Sequence, residues 1–372
     1  MTRGRGVADE VVDGLVGAFL HLDHLILGRR VSRTGYANPR VRQLVGTYGY
    51  SVLVYRITRP NIVRWLAGDT DLFPAAVQVQ TINRCNGACE FCPYPYTVAE
   101  QDRRVMDDAL FSAVARECAA ESELCCFVPM SKNEPLLDAR LEERIAEFRR
   151  QAQPHQVVEV VTNGTGLTPQ RASALIDAGT DLITVSVNAY SRSTYERVMK
   201  GLSWPTVMRN LEALAQMELS TTNVYLRFVG DRSNRTELRA FRRRWRRFNL
   251  FQFSVNNRAG TVRDYQRLSP KRADGPKAWL RRAGGSRVYP VCPYLFSLAH
   301  VLENGDVPMC SNDWLNREVL GNVATQSLRE IFNGERMNEL RTLMAQGRFE
   351  EIDACRECSF YRDWMKRPGT GG

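Results

Sequence analysis

Between residues 73 and 260 short apolar runs alternate with helical periodicity, and this alternation restricts the possible folds more than any other feature of the chain. The runs 75–81, 124–130, 157–162, 182–188, 223–229 and 251–255 read as strands. Segments near 107–120, 138–151, 168–178, 191–200 and 235–247 read as the helices between them. Apolar strands separated by helices belong in a parallel sheet covered by those helices, an α/β fold. Six such units fall short of the eight that close a full barrel. Asp107 is the expected N-cap of the first helix. Ser193-Thr194-Tyr195-Glu196 reads as a capping box for the fourth, with Gly201 just past its end. Parallel α/β sheets bind ligands outside the C-terminal ends of their strands, which directs attention to the loops there.

The first of those loops reads Asn83-Arg84-Cys85-Asn86-Gly87-Ala88-Cys89-Glu90-Phe91-Cys92-Pro93. Three thiolates this close suit a cubane iron–sulfur cluster with one iron left free of protein ligands. Zinc sites usually pair C-x-x-C units or combine Cys with His, and no His lies between Arg30 and His155. A second set is Cys292, Cys310, Cys355 and Cys358. Four thiolates close an iron–sulfur cluster or a zinc ribbon, and ligand count alone leaves both open. Cys118 continues the stripe of Leu110 and Val114 and reads as core. Cys125 and Cys126 are adjacent on the second strand, so they face opposite sides and one of them reaches the barrel interior.

The spacing Cys85-x3-Cys89-x2-Cys92 after a first strand, with Phe91 before the last cysteine, resembles the radical S-adenosylmethionine (SAM) superfamily. Cys292-x12-Gly305-x4-Cys310, then Leu320-Gly321-Asn322-Val323, then Cys355-x2-Cys358, resembles that family's SPASM or twitch extension. No cysteine follows Cys358, so the likeness is to the twitch type with one auxiliary cluster. The resemblance implies a partial (β/α)6 barrel over residues 73–260 and an auxiliary-cluster domain over 291–372. An N-terminal helical extension (1–72) and a basic connector (261–290) complete the expected organisation. The implied cofactors are a SAM-binding 4Fe–4S cluster on Cys85, Cys89 and Cys92, an auxiliary 4Fe–4S cluster on the second set, and SAM itself. The family's Gly-Gly-Glu turn, which holds the SAM amino group, corresponds here to Lys132-Asn133-Glu134. Both glycines are replaced, and a helix-entry role is the other reading of Glu134. Phe91, Asn163, Ser186 and Asn188 are the further expected cofactor-binding residues. Arg227 is expected to meet the SAM carboxylate or an internal acidic partner. Asn256, Asn257 and Arg258, at the end of the sixth strand, are further candidates for adenine or substrate.

The activity implied is reductive cleavage of SAM to a 5′-deoxyadenosyl radical and hydrogen abstraction from a small substrate. Similar twitch enzymes act on sugars or aminocyclitols in antibiotic pathways, and oxidation through the auxiliary cluster is the expected outcome. One alternative is an epimerase, with Cys126 as hydrogen donor. Others are a maturase of ribosomal peptides and a metal-stabilised module without activity. The absence of cysteine between Cys126 and Cys292 favours oxidation, since the second half of the barrel then offers no thiol donor.

The net charge of +10 is concentrated locally: residues 241–290 hold 14 Lys/Arg against 2 Asp/Glu, which leaves −2 for the rest. The run Phe241-Arg242-Arg243-Arg244-Trp245-Arg246-Arg247-Phe248 reads as a solvated helix face with Trp245 and Phe248 turned inward. Docking of an acidic flavodoxin- or ferredoxin-type electron donor is the next reading, and nucleic acid is not expected as a partner. The stretch 11–27 is interrupted by Asp13, His21, Asp23 and His24, too polar to span a bilayer, and no signal peptide is read at the start. Ten cysteines without an export signal argue for metal ligation in a cytoplasmic protein.

Overall fold

The computed structural model describes residues 60–219, 221–269 and 291–359. The predicted helix around Leu15 to Ile26 and most of the basic connector lie outside them. The strands are β1 (Ala76–Val79), β2 (Cys126–Val128), β3 (Val157–Thr162), β4 (Leu182–Ser186), β5 (Asn223–Gly230), β6 (Asn249–Ser254) and β7 (Leu298–Val301). They form one sheet in the order β6-β5-β4-β3-β2-β1-β7, and every pairing in it is parallel. The six expected strands are all present. β7 is an addition: it arises in the C-terminal part of the chain and pairs with β1 from Ala76↔Leu298 to Val79↔Val301. Its four residues are too short a run to stand out by periodicity alone.

The helices are α1 (Asp108–Ala120), α2 (Leu141–Gln151), α3 (Pro169–Asp177), α4 (Arg192–Val198), α5 (Trp204–Gln216) and α6 (Leu238–Arg244). Asp107 caps α1 as expected, accepting from the backbone N–H of Ala109 and Leu110. The capping box expected at Ser193 is corrected. Ser191 is the N-cap of α4, because Glu237 accepts from the Ser191 and Thr194 hydroxyls and from the Tyr190 and Ser191 amides. α5 went unassigned in the sequence. Pro205 lies in its first turn, where the missing N–H leaves no helical bond unmade.

Successive strand residues face opposite sides of the sheet. On the outer face Val77, Phe127, Val158, Val160, Ile183 and Val185 are buried in the main core with the helices. Phe127 stacks on Phe148 of α2 with centroids 4.1 Å apart, and Cys118 is core, as its stripe indicated. On the inner face Ala76, Cys126, Val128 and Val161 make a small apolar patch with Met130 and Leu298. Polar residues share that face: Gln78 opposite His300, and Ser186 opposite Arg227. Phe241, Trp245 and Phe248 are buried while Arg242, Arg243, Arg246 and Arg247 are exposed, the solvated face expected.

After β7 the chain forms the antiparallel hairpin β8 (Asp306–Pro308) and β9 (Val319–Asn322). The helices α7 (Leu328–Asn333) and α8 (Glu335–Ala345) follow, with Ser327 and Glu330 forming a full capping box on α7. No helix among the described residues is long and apolar enough to cross a membrane.

Candidate functional site

The loop after β1 is held in place by its own backbone. The Cys85 amide donates to Tyr94 Oη at 2.8 Å, and the Cys92 amide to the Cys89 carbonyl at 3.0 Å. The Ala88 and Glu90 amides donate to the carbonyls of Lys200 and Val198 at 2.7 and 3.0 Å, which ties the loop to the end of α4. Gly87 lies where a Cβ would meet Leu202 Cδ2 at 3.2 Å, so the close approach favours glycine. Cys85, Cys89 and Cys92 are all free thiols. Burial pushes Cys85 up to about 12 and also raises Cys89 and Cys92; the neighbouring loop cysteines add to the shift at Cys85 and Cys89. Three thiols that interact and resist ionisation in an apolar setting fit a cationic cluster, which would stabilise them as thiolates.

The second set converges in the same way. Cys292, Cys310, Cys355 and Cys358 are buried, and Cys292 feels all three of the others. Cys310 follows β8, and Cys355 lies in a one-turn helix, Asp353–Arg356, that brings the Cys358 amide to the Cys355 carbonyl. Asn257, just beyond β6, anchors this segment. Its Oδ1 accepts from the Ser359 amide at 2.7 Å, and its own amide donates to Ser359 Oγ at 2.9 Å. Arg258 donates to Asn312 Oδ1 at 2.9 Å. These two residues, weighed for adenine or substrate, therefore bind the auxiliary segment. Among the described residues no three His, Cys, Asp or Glu side chains converge on a single-ion site.

Glu134 is buried, and both its oxygens accept hydrogen bonds. Its Oε1 accepts from Thr162 Oγ1 at 2.6 Å and from the Leu136 amide at 3.1 Å, and its Oε2 from the Asn163 amide at 2.7 Å. It is thus the N-cap of a short 3-10 turn, Pro135–Leu137, the helix-entry role weighed in the sequence. Burial pushes its carboxyl up from 4.5 to about 7, against the pull of those three donors. All its contacts are neutral, so the charge of an approaching cation has no competitor there. Glu134 also acts on Cys85 and Cys89, which places it beside the first cysteine loop.

The other expected residues divide. Asn163 donates to Asn86 Oδ1 at 2.8 Å and accepts from Thr165, so it fixes the cysteine loop against the end of β3. Asn188, expected to face SAM, has both ends of its side-chain amide engaged within the protein. Its Oδ1 accepts from the Val229 amide at 2.7 Å, and its Nδ2 points at Met199 Sδ, 3.0 Å away. Met199 Sδ in turn lies 3.7 Å from Cys89 Sγ. Ser186 and Arg227 lie side by side on the inner face. Arg227 Nε is buried without a partner, and the guanidinium sits 5.3 Å from the Phe253 ring centre. Phe91 packs with Val229 and Val255, at the ends of β5 and β6. Cys126 faces inward in the apolar patch, and Cys125 points away toward the Glu123 carbonyl.

Lys132 and Trp314 were not singled out from the sequence. Lys132, 3% exposed, donates through Nζ to the Asp313 carbonyl at 2.7 Å and to Asn316 Oδ1 at 2.5 Å. Trp314 packs with Tyr94, Val98, Cys85 and Cys92. A loop of the second cysteine set therefore covers the first, and Lys132 fastens it. The replacement of a family glycine by Lys132 was the available signal.

A family model described as the Radical SAM superfamily matches residues 79–243, and one described as an iron–sulfur cluster-binding domain, SPASM, matches residues 292–359. A probable GTP 3′,8-cyclase of Halobacterium salinarum is 26% identical over 147 residues, which are 37% of this chain and 38% of the cyclase. The chain thus spans well under half the length of that relative. The S-adenosyl-L-methionine-dependent 2-deoxy-scyllo-inosamine dehydrogenase of Niallia circulans is 21% identical over 286 residues, covering 76% of this chain and 92% of the dehydrogenase. Among solved structures, BtrN in complex with AdoMet and 2-DOIA aligns at a TM-score of 0.50 and 17% identity over 78% of this chain and 94% of BtrN. Streptococcus suis SuiB bound to precursor peptide SuiA aligns at 0.58 and 11% identity over 76% of this chain and 69% of SuiB. At these identities the structural likeness speaks for the fold. The two domains imply a SAM-binding 4Fe–4S cluster and auxiliary iron–sulfur ligation, and with them the iron–sulfur reading of the second set replaces the zinc one.

Proposed function

We propose that this chain, whose residues 79–243 and 292–359 match the Radical SAM and SPASM models, is a radical SAM enzyme that oxidises a hydroxyl-bearing carbon of a small sugar- or aminocyclitol-like intermediate. When bound, the two clusters and SAM supply a 5′-deoxyadenosyl radical and an acceptor for the electron that the substrate gives up. The observation that carries the reading is the joining of the two cysteine sets by Lys132 and Trp314. That arrangement suits abstraction at one end of a substrate and electron removal at the other. The likeness to a dehydrogenase of an aminocyclitol, over 76% of this chain and 92% of that protein, supports the substrate class.

In this reading Cys85, Cys89 and Cys92 hold the SAM-binding cluster, and Cys292, Cys310, Cys355 and Cys358 hold a single auxiliary cluster. Glu134 takes the SAM amino group, and Arg227 the SAM carboxylate, which would fill its unpartnered Nε. Ser186 lies beside Arg227 on the side where the ribose would lie. Phe91 and Asn163 shape the loop around these groups. The inward face of Cys126 keeps one rival open, an epimerase in which that thiol returns hydrogen to the substrate. Mass analysis of the product formed in heavy water separates them. Oxidation gives a loss of two hydrogens, and epimerisation gives no net loss with one solvent deuteron gained. Release of 5′-deoxyadenosine with neither product would remove both.

The exposed Arg242, Arg243 and Arg246 form a basic face suited to an acidic flavodoxin-type donor. Changing all three to Glu is expected to slow flavodoxin-supported turnover about tenfold at low salt and leave dithionite-supported turnover unchanged. Equal losses with both reductants would argue against docking.

A further inference from the structure

His300 stands on the inner face of β7, opposite Gln78 of β1. It is 1% exposed, and both ring nitrogens are sealed from solvent without a hydrogen-bond partner. Buried polar groups in native proteins are nearly always bonded, so an imidazole with two open nitrogens points to a ligand that bonds it. Its neighbours locate it. Lys132 and Arg258 are the charged groups that act on the ring. Arg258 also acts on Cys92, and Lys132 on Cys310, so His300 lies on wall shared by the two cysteine sets. Trp314 Nε1, beside Lys132, is a second buried donor without a partner.

Burial first, then the charges of Lys132 and Arg258, push the His300 imidazole down to about 3. The ring is therefore neutral at any working pH. A neutral imidazole carries one N–H donor and one bare acceptor nitrogen. A hydroxyl, itself donor and acceptor, complements it. An ammonium is disfavoured there by Lys132 and Arg258.

We propose that His300 contacts the substrate, accepting a hydrogen bond from a ring hydroxyl, and that the cations beside it keep the hydroxylated end of the substrate, and not an amine, at this wall. The proposal rests on the hydroxylated-ring reading above and assigns that reading a residue.

The test uses iron-loaded enzyme with SAM bound, titrated calorimetrically with 2-deoxy-scyllo-inosamine as probe. His300→Phe should weaken the probe about tenfold or more and leave SAM affinity unchanged. His300→Gln, which keeps an acceptor and a donor, should stay within about threefold of the unmutated enzyme. Equal probe affinity in all three proteins overturns the contact. Should His300→Phe fail to load iron, analogues of the probe with fluorine for one hydroxyl test the unmutated enzyme instead. Fluorine is close to hydroxyl in size and cannot donate, so one analogue should bind about tenfold more weakly; if none does, the proposal falls. Unmutated enzyme that cleaves SAM but does not bind the probe overturns the proposal and leaves the radical SAM assignment standing. Enzyme that does not cleave SAM removes the proposed function, and this proposal with it.

Discussion

Cys92→Ser is expected to lower the iron content of the reconstituted protein from about eight to about four per chain and to abolish SAM cleavage. Cys92 belongs to a set of three, so the loss of one thiolate leaves too few to hold the cluster at which SAM binds. Cys310→Ser is expected to lose a similar amount of iron for the opposite functional result: SAM is still cleaved, and the oxidised product disappears. The difference follows from the separateness of the two sets. Cys310 is grouped with Cys292, Cys355 and Cys358, and its loop reaches the first set through Trp314, which packs with Cys85 and Cys92. Iron and zinc analysis beside a 5′-deoxyadenosine assay checks both variants. About four irons and one zinc in the unmutated protein would return the second set to a zinc site.

Glu134→Gln is expected to weaken SAM binding by about ten- to a hundredfold, the range for losing a charge-assisted hydrogen bond. Its pH dependence follows from the carboxyl, which burial raises from 4.5 to about 7. Without SAM the folded protein holds this proton more tightly than the unfolded chain does. The contribution of Glu134 to stability is therefore fully present below pH 4.5 and falls as pH rises toward 7. SAM binding runs the other way. Its ammonium prefers the carboxylate, so affinity should fall about tenfold for each pH unit below 7 and level off above. Equilibrium dialysis of SAM against the iron-loaded protein between pH 5.5 and 8 measures the slope. Glu134→Gln should flatten it; an unchanged slope would detach Glu134 from the SAM amino group.

The parallel fold and both cysteine sets were legible in the chain because each leaves a local signature. Strand runs show as blocks of apolar residues, and metal ligands as fixed spacings around Cys85 and Cys355. The hidden parts depend on contacts between distant segments. Asn188 looked free on its strand, yet its amide is claimed by Val229 and Met199. Ser191, and not Ser193, begins α4, because a carboxylate from Glu237 completes that turn. His300 was an unremarked residue in a short apolar run until β7 placed it beside β1. Lys132 read as a departure from a glycine turn, and its partner loop lies far along the chain. No local pattern encodes such pairings.

The pairing of β7 with β1 also bears on how the chain is made. The N-terminal half leaves the ribosome with one edge of β1 open, and the segment that closes it, Leu298–Val301, emerges only late in synthesis. Contacts so distant in sequence form slowly, and an unpaired strand edge invites association between nascent chains. Stalling translation before and after Leu298 would bracket the moment at which that edge of β1 is covered.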